Sequence, residues 1–552
     1  MLAAESRQAG RAGDTPTILR RRPMPESVNR QISQYYDAKP YDAHPFAQTA
    51  PEHLEAVAYV FGIDAPASST ARVLELGCAG GGNLIPFAAR HPAAAALGVD
   101  ISPVHVQQAV QAIRQAGLDN VQVRALDIAE IDENLGEFDY IVCHGVYSWV
   151  PAAVQAAILR VCARHLSPQG LAYISYNVHP GWKSREIVRD AMMLRGGPHD
   201  APDDKLAYAR GMLEFLDQSA RPDSVLKATL DEMMPIVRGA SPTYLLHEFL
   251  EPCNSPCHFK EFVERAQAAG LAYLADADAA TMFVQNYGEQ VYLPLLRECG
   301  GSQVMMEQYL DFLVNRSFRQ TLLVHQARAQ HIRYRLDPAR LRQLSFAGAF
   351  RAEDGGTFTL DANEQPCVAL RNIKIALRLP VHKAVVQVLD EHYPAMLTVD
   401  ALVAAVAARV STSPVDAFVM AMLEEMLILG AVRVRRTPVG AAAHPAERPR
   451  ALPSVRRLPT LALSEGPQAH ACNLWHESVA LSPLERCLLP LLDGEHGHEA
   501  LAQFLVDEAR AQRIRFIKDD EPLTDDEALR DFSRQQVALA LRDLRRKGLL
   551  LA

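Results

Sequence analysis

Nine consecutive residues, Glu75-Leu76-Gly77-Cys78-Ala79-Gly80-Gly81-Gly82-Asn83, join a carboxylate to a run of glycines. Such a run lets the backbone turn tightly and approach a ligand closely, because no Cβ stands in the way. The carboxylate in front of it can accept hydrogen bonds or face a cation. Two further acids follow, Asp100 about 25 residues later and then Asp127. An acid at the first interval suits both hydroxyls of a ribose. Asp127 is placed to accept from an adenine amino group. Together these residues describe a site for an adenosine whose tail carries positive charge.

Elements of fixed type must position them. Residues 72–76 read as a short apolar strand, followed by the glycine turn and a helical run at 84–89. Strands are expected again at 95–100, 121–125, 138–143 and 171–176. Helices are expected at 103–114, where Pro103 sits in the first turn, and at 152–165. Five strands with acids at the first three ends make a nucleotide-type α/β sheet. A dinucleotide site is the competing reading. It is disfavoured because Ala79 stands where the middle glycine of G-x-G-x-x-G belongs, and because such a site has no need of Asp127. The better reading is methyl transfer from S-adenosylmethionine, with Glu75 meeting the cationic amino-acid end.

Displacement at a sulfonium methyl needs alignment of an acceptor and exclusion of water more than it needs reactive side chains. The loops after the fourth and fifth strands, 144–151 and 176–182, are rich in aromatic residues. An aromatic channel suits a lysine stem and its cationic head. His144, Tyr147, Trp149, Tyr176 and Asn177 are the acceptor-pocket residues expected from these loops. His144, Tyr147 and Tyr176 are the possible bases or orienting groups, in no order. Nucleobase N-methylation is disfavoured by the absence of an Asn/Asp-Pro-Pro-aromatic run. Residues 247–258 hold two cysteines and two histidines, but the spacing is loose and no second half-site appears, so no metal is expected.

The sheet does not end after residue 176. A helix at 259–269 and strands at 271–274 and 318–325 resume it, so helical insertions at about 183–257 and 276–316 are expected to roof the acceptor pocket or pair subunits. Residues 336–379 read as a small connecting unit. Two winged-helix-like layouts follow, at 380–436 and 471–552, separated by a linker at 437–470. Acidic residues Glu424 and Glu425 oppose phosphate contact in the first copy, and the second has Arg542, Arg545, Arg546 and Lys547 but no wing. Protein binding is favoured over nucleic acid.

Length and composition agree. The 552 residues call for several domains, and the net charge of −9 offers no general attraction for a polyanion. No apolar run reaches the ~18–20 residues of a membrane span, and residues 1–34 read as a flexible tail without a secretory signal. Nine cysteines without a CxxC pair fit a reducing compartment. A cytoplasmic location is expected.

Several longer motifs add to this pattern: Tyr36-Asp37-Ala38-Lys39-Pro40-Tyr41, Cys143 to Pro151, Ser175-Tyr176-Asn177 with Pro180-Gly181-Trp182, Leu246 to Leu250 and Leu313 to Leu323. With the glycine loop they resemble the bacterial class I methyltransferases that carry a methyltransferase regulatory domain. Among these are the rickettsial protein lysine methyltransferases of outer membrane protein B. The resemblance implies a Rossmann-like seven-stranded sheet over about 35–335 with helical insertions, followed by winged-helix-like α+β domains. It also implies S-adenosylmethionine as cofactor, a homodimer, and a lysine-containing protein substrate on the bacterial surface or secreted. The cofactor site then comprises Tyr36, Tyr41, Glu75, Gly77, Cys78, Ala79, Gly80, Asn83, Asp100, Ile101, Asp127, Ile128 and His144. The alternatives are a small-molecule N- or O-methyltransferase and a non-catalytic scaffold.

Overall fold

The computed structural model describes residues 44–411, 413–444, 446–457, 469–518, 521–523 and 525–552. Tyr36, Tyr41 and the expected N-terminal tail lie outside them. Strands β1 (Arg72–Leu76), β2 (Ala95–Asp100), β3 (Val121–Ala125), β4 (Phe138–Cys143) and β5 (Leu166–Asn177) are parallel, and β7 (Phe318–His325) runs antiparallel between β5 and β6 (Leu271–Asp276). The order is β3-β2-β1-β4-β5-β7-β6. It reverses between β1 and β4, so the loops leaving these two strands diverge and open a crevice at the sheet's carboxyl edge.

The inner strands β1 and β4 are buried on both faces, which explains why apolar residues run on there without alternation, whereas the edge strand β3 alternates. The helix Pro103–Ala116 begins where the Ser102 side chain accepts from the His105 N–H, and it stops at Gly117 with φ of 64°. Strand β5 starts five residues earlier than the sequence suggests. The Ser-Pro-Gln-Gly stretch at 167–170 resembles a turn, yet Leu166 pairs with Phe138 across an irregularity in the ladder.

The first insertion is four helices, Gly181–Gly196, Pro202–Ser219, Val225–Gly239 and Pro242–Phe249. They bury Met192, Leu213, Met233, Leu246 and Phe249 in a core of their own. The second consists of short turns and the helices Glu289–Glu298 and Gln303–Leu313. It is fixed to the sheet by Arg319 of β7, whose guanidinium lies 2.7 Å from Glu307 Oε2 and 2.8 Å from Asp311 Oδ1 and covers the Phe259 ring at 3.8 Å. All three charged residues are buried. Burial pushes the nearby Asp276 carboxyl up to about 6, against the pull of Arg319.

The C-terminal half differs from the sequence reading at two places. Strand Ser345–Ala347, expected in the connecting unit, is the central strand of a sheet with Leu397–Thr398 and Arg433–Arg435, beside the helices Pro380–His392, Val399–Ala407 and Val415–Leu429. The expected linker also contributes structure. Ala441 and Ala451 bridge to Leu551 and Leu550, and Leu452 and Val455 join the core with Leu501, Leu505 and Leu541. Ala441, Ala442 and Ala451 there meet space limits in a packed interior. The basic residues at the end are engaged within the chain. Arg545 donates to the carbonyls of Tyr393 and Ala443, Lys547 binds Glu485, and Arg546 lies 3.3 Å from Asp390. Among the described residues no helix is long and apolar enough to cross a membrane.

Breaking the Arg319 cluster leaves the buried Glu307 carboxylate without its counter-ion and Asp311 with Arg316 alone. Arg319→Met is expected to lower the unfolding free energy by about 3–5 kcal/mol, read as a fall in the urea midpoint. A fall below about 1 kcal/mol would mean that solvent reaches the cluster.

Candidate functional site

At the switch between β1 and β4 lies a cavity of about 450 Å3. Its floor is the glycine loop. Gly77 takes φ of 73°, and a Cβ there would come within 2.5 Å of Val146 Cγ2 in the facing loop. Ala79 is also left-handed, with φ of 44°, a conformation that a residue with a Cβ adopts only when held. Asp100 holds it. Its Oδ2 accepts from the Ala79 N–H at 2.8 Å, and its Oδ1 accepts from the Ser102 N–H at 2.9 Å. One carboxylate thus joins the glycine loop to the start of the next helix.

Glu75 sits at the end of β1, buried, on the cavity wall. Its Oε1 accepts from Asn83 Nδ2 at 2.9 Å, while the buried Oε2 has no hydrogen-bond partner among the described residues. Burial therefore lifts its carboxyl to about 8, against the Asn83 hydrogen bond, with Asp100 adding to the rise. An acid kept this dry lacks a cation. The α-ammonium of an amino acid, set against Oε2, would complete it. Asp127 also lines the cavity, with Oδ1 occupied by the Ala129 N–H at 2.8 Å. Cys78 faces the same space, and burial pushes its thiol well above the ordinary range, so it remains an un-ionised wall.

Of the residues expected from the sequence, Glu75, Gly77, Cys78, Ala79, Asn83, Asp100, Ile101, Asp127, Ile128, His144, Trp149 and Asn177 line this cavity. Gly80 does not. Tyr147 and Tyr176 are a correction, since neither reaches it. They are buried in the core beside it, where Tyr176 stacks on Phe262 with centroids 3.9 Å apart and Tyr147 meets the same ring edge-on. Burial raises both phenols above their usual range. The tyrosine that serves the cavity side is Tyr173, whose hydroxyl lies 2.9 Å from His144 Nδ1 and 2.9 Å from Gln320 Oε1.

The first insertion closes the outer end with Arg185, Tyr244, His247 and Glu248; no residue of 276–316 lines the wall. The sequence motif at 246–250 is thus part of the cavity. The segment that follows supports the site through hydrogen bonds. Ser255 N–H donates to the Ser148 carbonyl, Asn254 Oδ1 accepts from Asn177, and Ser148 Oγ accepts from the Asn177 N–H. Phe46 also faces the cavity and meets the His144 ring with centroids 4.1 Å apart.

Three family models match in succession: a methyltransferase domain at 73–170, a predicted methyltransferase regulatory domain at 241–325, and a PKMT C-terminal winged helix domain at 447–549. An uncharacterized protein of Rickettsia prowazekii is 38% identical over 233 residues, which take in 42% of this chain and 93% of that protein. The chain belongs to this family of S-adenosylmethionine-dependent methyltransferases. A second uncharacterized R. prowazekii protein is 41% identical over 291 residues, although the match spans only 52% of its length. The solved structure of PKMT2 from Rickettsia typhi is 28% identical and superposes with a TM-score of 0.83, covering 92% of this chain and 99% of that one. The same relative has been solved in complex with AdoHcy, again with a TM-score of 0.83. The unpartnered Oε2 and the left-handed glycine loop fit the methyltransferase cofactor's amino-acid end, and Asp100 and Asp127 line the same cavity.

Two measurements test the placement. Asp100→Ala removes both the carboxylate and the tether of Ala79, and cofactor affinity by calorimetry is expected to fall about 100-fold or more. The pH dependence follows from Glu75. With its carboxyl near 8, the ligand-free site is protonated at neutral pH and must lose that proton to meet an ammonium. Affinity should therefore rise between pH 6 and 7.5 by up to about tenfold per pH unit. The rise should stop near pH 8, where the ligand's own amine, with a pKa of about 7.7–8.0, loses its charge. Glu75→Gln should bind weakly and with a flat profile; an unchanged slope would place the titrating group elsewhere.

Proposed function

We propose that this methyltransferase modifies lysine side chains of a bacterial surface or secreted protein. The observation that carries the reading is the outer end of the cavity, where Trp149, Tyr244 and Phe318 stand with the Glu248 carboxylate. Apolar rings accommodate a methylene stem, and an acid at the mouth attracts its cationic head. Glu248 is 3.6 Å from Arg185, and burial lifts its carboxyl despite that neighbour, which leaves it responsive to an arriving ammonium. Trp149 is braced edge-on by the buried Trp182, so it forms a firm wall. The likeness to PKMT2 points the same way.

S-adenosylmethionine supplies a methyl group on a sulfonium. What the protein must add is an acceptor lone pair on the correct line in a dry cavity. His144 is suited to orient the amine. Tyr173 gives its only hydroxyl proton to Gln320, so it accepts from His144 Nδ1–H, and the lone pair of the imidazole resides on Nε2. Burial lowers this imidazole to about 4. Against a lysine near 10.4 it is too weak to hold the abstracted proton, so it positions by hydrogen bonding. The amine loses its proton on leaving water for the cavity, where burial favours the neutral form.

A homodimer and a cytoplasmic location belong to the same reading. Exposed Leu194 and Phe215 on the first insertion, and Phe312 and Leu313 on the second, supply apolar surface for pairing.

Incubating the protein with tritiated S-adenosylmethionine and lysate of its own cells should label a discrete protein band, and hydrolysis should return methyl-lysine. Glu248→Gln should reduce that labelling by about tenfold while cofactor affinity is unchanged. Label confined to the small-molecule fraction would replace the lysine reading with a small-molecule N- or O-methyltransferase.

A further inference from the structure

The hairpin joining strands Ala469–Cys472 and Ser478–Leu481 belongs to the C-terminal winged-helix region, yet its tip enters the methyltransferase sheet from behind the glycine loop. Asn473 builds the tip, its Oδ1 accepting from the N–H groups of Trp475 and Glu477, both at 2.9 Å. His476 between them is left-handed, with φ of 61°, and buried. Its Nε2 lies 2.8 Å from Asn83 Oδ1 and its Nδ1 lies 2.9 Å from Arg90 Nη2. These neighbours fix its protons. A guanidinium only donates and an amide oxygen only accepts, so Nδ1 accepts from Arg90 and Nε2–H donates to Asn83. Arg90 in turn pairs with Glu52 at 3.1 Å, and Glu52 lies 2.6 Å from His91. Cys472 and Arg435 complete the titratable groups near the ring. Burial and Arg90 keep the imidazole neutral.

Asn83 Oδ1 also accepts from the Phe46 N–H at 3.1 Å, and the Thr49 hydroxyl lies 2.9 Å away, its single proton divided between this oxygen and the Phe46 carbonyl. With the oxygen so occupied, the amide nitrogen must point the other way, into Glu75 Oε1 at 2.9 Å. That bond fixes the carboxylate at the cavity wall and leaves Oε2 as its oxygen without a partner among the described residues. We propose that His476 is a positioning residue for the cofactor site: through Asn83 it orients Glu75, so that the winged-helix region completes the pocket for the cofactor's amino-acid end. The inference rests on the reading that Glu75 meets the ammonium group there. The docking is more than one contact. Trp475 lies under the guanidinium groups of Arg433 and Arg435 at 4.9 and 5.1 Å, and Glu477 binds Arg433 at 2.8 Å.

The test is S-adenosylhomocysteine calorimetry on the full chain, from pH 6 to 8, for wild type and for His476→Ala, His476→Gln and His476→Asn. Glutamine places an amide N–H near the position of Nε2, while asparagine carries the same amide but falls short of Asn83. Alanine and asparagine are expected to weaken binding about tenfold, one lost buried hydrogen bond, and to shift the pH at which affinity rises. Glutamine should restore both toward wild type. If alanine does not fold, the amide pair decides, because its members differ in reach and not in chemistry. Equal affinities and pH profiles for glutamine and asparagine, or a folded alanine variant that binds as wild type does, would overturn the inference. Failure of the wild type itself to bind would overturn instead the assignment of the cofactor site.

Discussion

The Asn83 side chain stands between two demands that only one orientation satisfies. Groups from two segments, the Phe46 N–H and Thr49 hydroxyl from one and His476 Nε2 from the other, meet its oxygen, and a carboxylate meets its nitrogen. Reversing the amide would set its N–H groups against N–H and O–H donors and its oxygen against Glu75. The cost of burying unmatched polar atoms, about 1–3 kcal/mol each, excludes that arrangement. Glu75 is therefore held by one oxygen, and the other is buried without a partner among the described residues. A carboxylate buried in this way is unfavourable alone and favourable with a cation, which makes the site selective for a ligand that brings one.

The glycine loop depends on a similar division of labour. Ala79 adopts a left-handed backbone at a position where glycine would be unstrained, and the strain is offset by the hydrogen bond from its N–H to Asp100. Asp100 has other work, since its second oxygen starts the following helix. Loop, helix start and the Asp100 carboxylate are thus one bonded unit. Its facing wall is equally constrained, because Val146 leaves room only for the hydrogen of Gly77. The cavity is preformed on both sides before any ligand enters, and less ordering remains to oppose binding.

How much of this was legible in the sequence follows from the range of the interactions. Strands β1 to β4 and the acids at their ends are local features, set by continuous apolar runs and the turn residues after them, and the structure has them at the expected positions. The aromatic loops were legible as a group but not by face. In a strand successive side chains point to opposite sides, so Tyr173 and Ser175 share a face that Tyr176 cannot. Ser175 Oγ accepts from the Gly145 N–H and Tyr173 meets His144, whereas Tyr176 turns to Phe262 and Thr321. Counting by two from Asn177 would have selected Tyr173. His476 had no such signal. It lies 393 residues from Asn83, in a hairpin whose composition resembles any surface turn.

The same separation in sequence bears on why winged-helix modules are joined to this enzyme. Their usual partner is a polyanion, and here the basic residues that would serve it are spent on carbonyls and carboxylates of the same chain. What the C-terminal region presents to the sheet is a rigid hairpin whose tryptophan is clasped by two arginines and whose histidine is deprived of its charge. A neutral donor is required at that point. A protonated imidazole beside Arg90 would face a second cation without solvent between them, and a carboxylate there would repel Glu75 through Asn83. A domain docked in this way contributes to the cofactor pocket by excluding water and fixing a hydrogen bond, both of which are lost if it swings away. On the proposed role of His476, release of the winged helix and release of the cofactor are linked through a chain of two hydrogen bonds.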